Sequence, residues 1–168
     1  GFAVGNSLLE PDKTGTAQAA LDKAAKRDVE FLLPTDNLVS QRNNGEWADP
    51  RVNTGNDIPD GDEGVDIGPS TAEKYAEAIA GAKTILWNGP MGIFEDPRFA
   101  EGTSAVARAV GEATSSGATS IIGGGDSVKA LNQAGLGETV TFMSTGGGAS
   151  LEFLEGNELP GIAALTDK

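Results

Sequence analysis

Apolar residues recur along this chain with two periods. Over residues 16–27, Ala17, Ala20, Leu21 and Ala24 return every three or four positions with charges between them, which is the spacing of one helix face. The basic end of that segment, Lys23, Lys26 and Arg27, suits the C-terminal pole of a helix dipole. The same spacing returns at Ala72, Tyr75, Ala76 and Ile79 and stops at Gly81. Ser70-Thr71-Ala72-Glu73, after Gly68-Pro69, has the form of a capping box in which Ser70 and Glu73 satisfy each other's orphan amides. A third helix is predicted over about 103–114, with Val106, Val110 and Ala113 inward, and shorter ones from Ser127 to about Gln133 and around Leu151, Phe153 and Leu154.

Between these lie short continuous apolar runs that read as buried strands: 29–33, ended by Pro34, then 84–87, 119–122 and 141–144. Residues 41–61 turn to Asn, Asp, Gly and Pro and read as a surface excursion, with a short strand near Leu38 and Trp47 as a local anchor. Strands alternating with helices predict an α/β domain, a Rossmann-like three-layer arrangement with a mostly parallel sheet and helices on both faces.

Three of the strands end alike. TILWNGPMG (84–92), TSIIGGGDS (119–127) and TFMSTGGGAS (141–150) each pass from a β-branched or apolar run into a glycine-rich or Asn-Gly-Pro turn, with a helix-like segment after it. Glycines let the backbone approach an anion without a Cβ in the way, and the amides that open the next helix point at the bound charge. In an open parallel sheet all such turns lie on the edge where ligands bind. Asp126 would stand beside the phosphates, where a carboxylate makes sense chiefly as a partner of Mg²⁺. Gly123-Gly124-Gly125 and Gly146-Gly147-Gly148 lack the last glycine of a dinucleotide fingerprint, and Gly81-Ala82-Lys83-Thr84 does not complete a Walker loop.

Composition narrows the chemistry. The 168 residues are enough for one domain with a core, and at 5% aromatic that core is built largely of Ala, Val, Ile and Leu. A formal charge of -13 disfavours a sequence-independent grip on nucleic acid or an anionic membrane, so an anionic ligand has to be held locally by amides, helix ends and a metal. Without His or Cys, triad and thiolate catalysis and disulfides are out. Asp49, Asp57, Asp60, Asp62, Glu63 and Asp66 lack the ligand spacing of a calcium loop and read as a solvated acidic face. No apolar run approaches transmembrane length and no signal peptide is evident, which points to the cytoplasm. Gly1-Phe2-Ala3-Val4 reads as an interior stretch of something longer.

WNGPMGIFE (87–95), IIGGGDS (121–127) and STGGGASLEFLEG (144–156) together resemble the C-terminal, nucleotide-binding half of phosphoglycerate kinase. NSLLE (6–10), DIPDG (57–61) and GVDIGP (64–69) fit the same family in the same order. The resemblance spans essentially the whole chain and less than half of the family's usual length. It implies reversible phosphoryl transfer between 1,3-bisphosphoglycerate and ADP, giving 3-phosphoglycerate and ATP, with Mg²⁺ accompanying the nucleotide, in a protein that is monomeric when complete. It places Glu95 on the ribose, Asn88, Pro90 and Gly92 along the nucleotide side of the cleft, and Gly64 near the adenine. Gly123, Gly124, Gly125 and Asp126 match the phosphate turn and its metal partner, with Ser127 beside them. Thr145, Gly146, Gly147 and Gly148 match the helix start that faces the group in flight.

Two departures stand out. Asp62 and Glu63 occupy positions where the family commonly has an aromatic and an apolar residue. The family's basic N-terminal domain, and a lysine in a glycine-rich turn early in the C-terminal domain, have no counterpart here. Residues 1–168 are therefore expected to be part of the nucleotide domain of a two-domain kinase, binding Mg-ADP or Mg-ATP weakly at best and not turning over alone. The alternative is a free-standing nucleotide- or phosphate-binding module without catalysis.

Overall fold

The computed structural model describes residues 1–165, which build two sheets. In the first, β1 (Asp36–Asn43) is the hub, pairing antiparallel with β2 (Glu46–Trp47), β3 (Arg51–Thr54) and β4 (Asp62–Ile67). Asn44 (φ 52°) and Gly45 (φ 89°) turn β1 into β2 with both central residues in the left-handed region, the geometry a two-residue hairpin prefers. Leu38 faces Asp66 and Val39 faces Gly64, which leaves Val65 in a β-bulge without a partner on β1.

This sheet replaces the expected surface excursion with one short strand. It also overturns the solvated acidic face for two residues: Asp62 and Asp66 are 0% and 6% exposed. Asp62 is buried against the Arg51 guanidinium, whose Nη1 donates to Oδ1 at 3.0 Å, so the ion pair ties β3 to β4. The carboxylate that stands where the family has an apolar side chain is thus neutralised inside the fold.

The second sheet is parallel, in the order β5 (Thr84–Asn88), β6 (Thr119–Gly123), β7 (Phe142–Ser144). One face carries Ile85, Trp87 and Ile122 into a core closed by α2 (Pro69–Ala80), α3 (Glu101–Ser115) and α4 (Gly125–Gln133), where Val106, Val110 and Leu131 are buried. Against the other face lie α5 (Gly147–Leu154) and α6 (Pro160–Ala163), which with Leu86 and Ile121 enclose an apolar hollow of about 490 Å³. Helices therefore flank a parallel sheet, as expected. The strands are less buried than their composition implies, since Leu86, Phe142 and Met143 stay exposed.

Residues 29–33 form no strand. Val29, Phe31 and Leu33 face solvent, and a cavity of about 240 Å³ lined by Leu32, Tyr75 and Leu86 lies between this segment and β5, so no ladder partner satisfies its amides. The first helix, α1 (Thr14–Lys26), has the expected extent but buries none of its residues. Nor does the capping box form at α2. Pro69 is its first residue, and Asp36 at the start of β1 does the capping: Ser70 N donates to Oδ2 at 3.0 Å, Thr71 N to Oδ1 at 2.8 Å and Thr71 Oγ1 to Oδ1 at 2.6 Å. Burial pushes the Asp36 carboxyl up, but these hydrogen bonds outweigh it and hold the group below its ordinary 3.8.

Candidate functional site

The carboxyl ends of β5, β6 and β7 lie side by side because the strands are parallel and in register, with Asn88 opposite Gly123 and Gly123 opposite Ser144. The three turns are also locked to one another. Gly124, at φ 90°, donates its amide to Ser144 O at 2.9 Å. Ser127 Oγ, buried in the first turn of α4, accepts from Gly89 N at 2.6 Å. Gly147 fits tightest: a Cβ there would stand 2.6 Å from Asn88 Oδ1 and 2.7 Å from Gly124 Cα. No other residue lets the start of α5 come this close to the start of α4.

The result is a single hollow of about 260 Å³. Asn88, Gly89 and Pro90 line it from β5, Gly123 to Ser127 from β6, and Thr145, Gly147 and Gly148 from β7. The N-termini of α4 and α5 open onto it, offering unpaired amides and the positive ends of two helix dipoles to an anion. Gly125 and Gly148 have open space where a Cβ would go, so their backbone faces the hollow unobstructed.

Asp126 is exposed in the first turn of α4 and lines the same hollow. Among the described residues no group of three acidic side chains is placed to hold a metal ion. A lone carboxylate beside an anion site fits Mg²⁺, which keeps several waters and binds through one or two carboxylates plus phosphate oxygens.

Four residues singled out in the sequence lie outside the hollow: Gly146, which lines the apolar hollow beside α5 instead, and Gly64, Gly92 and Glu95. Gly64 sits on β4, where its amide donates to Ser7 Oγ at 2.9 Å and a Cβ would meet Ile58 Cδ1 at 3.0 Å. Gly92 is pressed onto β4, against Val65 O and Asp66. Glu95 is half-exposed with Lys129 Nζ 3.9 Å away, and that ammonium also stands 5.2 Å from the centre of the Phe94 ring. Lys129, on α4, is thus placed between the loop after β5 and the phosphate turn, although nothing in its local sequence marks it.

That loop is fastened at several points. Met91 N donates to Thr103 Oγ1 at 3.0 Å and Ile93 N to Val65 O at 2.8 Å. Arg98 bonds the Asp96 carboxylate and the Trp47 carbonyl, while Trp47 meets buried Phe99 edge-on. The expected anchoring role of Trp47 is what the structure shows. Thr103, by contrast, offered only a helix start, and Asp66 a place in an acidic run and in the 64–69 motif without a role; their partners lie twelve and thirty-six residues away.

Comparison with known proteins adds the family. A family model described as "Phosphoglycerate kinase" matches residues 1–157. The phosphoglycerate kinase of Chlorobium limicola is 53% identical over 167 residues, covering 99% of this chain and 42% of that protein. That of Clostridium novyi is 53% identical over 168 residues, covering 100% and 41%. Among solved structures, that of phosphoglycerate kinase from Coxiella burnetii superposes with a TM-score of 0.86 at 40% identity, over 97% of this chain and 41% of that one. Phosphoglycerate kinase from Pyrococcus horikoshii OT3 gives 0.74 at 35% identity, over 92% and 36%. The chain spans about two-fifths of the length of these relatives. Among the described residues no helix is long and apolar enough to cross a membrane.

Proposed function

The chain belongs to the phosphoglycerate kinase family, and from that premise we propose that it is the nucleotide-binding part of an enzyme moving a phosphoryl group between 1,3-bisphosphoglycerate and ADP. The observation that carries this reading is the meeting of the three glycine turns in one hollow with a single carboxylate at its rim. In phosphoryl transfer the protein has mainly to align two reactants and neutralise the equatorial oxygens of the group in flight. The amides that open α4, from Gly125 onward, hold the nucleotide phosphates, with Gly123 and Gly124 bringing the backbone of the turn up to them. Those of Gly147 and Gly148, with Thr145 beside them, face the transferred group, which leaves the acyl carboxylate of the bisphosphoglycerate and joins a terminal oxygen of ADP. Asp126 would hold Mg²⁺, which would supply charge neutralisation there when bound. Pro90, Gly92 and Gly64 line the base side, Glu95 takes the ribose, and Ser127 keeps the Asn88 turn against the phosphate turn.

The second reactant needs basic side chains that this hollow lacks. We assign residues 1–168 to the C-terminal domain of a two-domain cytoplasmic kinase, with the substrate domain and the first part of the C-terminal domain contributed by further polypeptide. Two observations support this: coverage of about two-fifths of the relatives, and a sheet face left with exposed Leu86 and Phe142. The test is a chimera in which these residues replace the matching segment of the Clostridium novyi enzyme. ATP formation from 1,3-bisphosphoglycerate and ADP is the expected result. A folded chimera that binds 3-phosphoglycerate but neither binds nor phosphorylates ADP would sink the reading.

A further inference from the structure

The loop after β5 carries Pro90, Gly92 and Glu95, and it closes over a socket in β4 whose centre is a buried side chain within the 64–69 motif, Asp66. The bulge at Val65 frees its carbonyl from the β1 ladder, and that oxygen accepts from Ile93 N at 2.8 Å. The next residue, Asp66, is 6% exposed. Its Oδ2 accepts from Gly102 N at 2.6 Å in the first turn of α3, and its Oδ1 accepts from Ile67 N at 2.9 Å. Two glycines make room for this carboxylate. A Cβ on Gly92 would lie 2.8 Å from Asp66 Oδ1, and a Cβ on Gly102 would lie 2.5 Å from the same atom. Loop, helix and strand therefore all press on one carboxylate, with no side chain between them.

We propose that Asp66 is a positioning residue that holds the 89–95 loop in its closed shape between β4 and α3, and so sets where Pro90, Gly92 and Glu95 stand relative to the phosphate turns. The proposal rests on the nucleotide reading for its purpose, but not for its geometry. Of the elements packed around Asp66, α3 brings the like charge of Glu101, β1 brings apolar Leu38, and the loop brings the backbone of Gly92 while Glu95 turns to Lys129. Burial first, and Glu101 after it, push the carboxyl up to about 6, against the pull of the Gly102 and Ile67 amides. A loop that swings open admits water to Asp66 and moves its carboxyl back toward its ordinary range. Closure is thus coupled to proton uptake, and the closed loop is favoured as pH falls through 6.

Amide hydrogen exchange on the 168-residue chain tests this without nucleotide. Asp66→Ala is expected to lower protection at Ile93 and Gly102 at least tenfold while leaving β5 amides within about threefold of wild type. Unchanged protection at Ile93 overturns the role. Should Asp66→Ala fail to fold, the wild-type chain still decides. After correction for intrinsic exchange, Ile93 protection is expected to rise measurably from pH 7.5 to 5.5, because closure takes up a proton at a carboxyl near 6. A flat or inverted profile overturns the proposal. Where Asp66→Asn folds, it should keep Ile93 protection close to wild type and remove the pH dependence. A pH dependence that persists in this variant would place its origin elsewhere and overturn the assignment to Asp66. These readouts strike Asp66 alone, whereas an inactive chimera strikes the kinase reading.

Discussion

Gly147 and Gly148 are neighbours in one glycine run, yet the structure gives them opposite tolerances. Gly147 has Asn88 and Gly124 where a Cβ would go, and Gly148 has open space. Gly147→Ala should therefore force the α4 and α5 turns apart, costing about 1–3 kcal/mol in urea unfolding and weakening Mg-ADP binding tenfold or more. Gly148→Ala should leave stability unchanged or raise it by up to about 1 kcal/mol, since alanine is the better helix former. Equal losses in the two would mean the turns do not interlock. In the proposed site the Asp126 carboxylate takes its metal from the incoming nucleotide. Asp126→Asn is accordingly expected to weaken Mg-ADP binding far more than binding of metal-free ADP in titration calorimetry, and an equal loss in both would remove the metal role. That glycines and an acid occupy these turns is plain in the sequence, but that Asn88 fills the space between two of them depends on strands thirty and more residues apart.

The elements show where local patterning succeeds and where it fails. Helices α3 and α4 are close to their predicted extents because their apolar spacing is the spacing of the core they face. At α2 the capping box was a plausible local solution, and Asp36, thirty-four residues upstream of Ser70, displaced it. Asp36→Ala is expected to cost about 1–2 kcal/mol at pH 7, as lost caps do. Because the carboxyl sits below 3.8 in the fold, its contribution is complete above that value and is lost as pH falls through the lower, folded one. Wild type and variant should therefore converge in stability at strongly acidic pH, and a gap that persists there would show a packing effect instead. The antiparallel sheet was missed for a related reason. Its strands are polar and their buried positions do not alternate cleanly, so the period-two signal is faint, although Asn44-Gly45 carries a hairpin signal. Its cohesion comes partly from the Arg51–Asp62 pair. Arg51→Met should lose about 2 kcal/mol in the same unfolding assay, because it strands a buried carboxylate while the half-exposed arginine itself gains little from burial.

As a whole, the chain closes one face of its parallel sheet and leaves much of the other open. Leu86, Phe153, Leu154 and Ile162 are exposed around the apolar hollow beside α5 and α6, and Phe142 is exposed on the same sheet face. Patches of this kind belong under a further layer of protein. The folded 168-residue chain should therefore bind a hydrophobic dye such as ANS in the absence of denaturant, and the chimera should not. Dye binding by the chimera equal to that of the isolated chain would leave this face without its cover. Strand–helix alternation and the three turns could be read from residue order, because each depends on residues within a few positions of one another. Which charges are buried, which residue caps α2, how the turns interlock and which sheet face stays open were settled by folding. Each of these is a contact between residues distant in the chain, chosen by competition for burial and hydrogen bonds that no local period records.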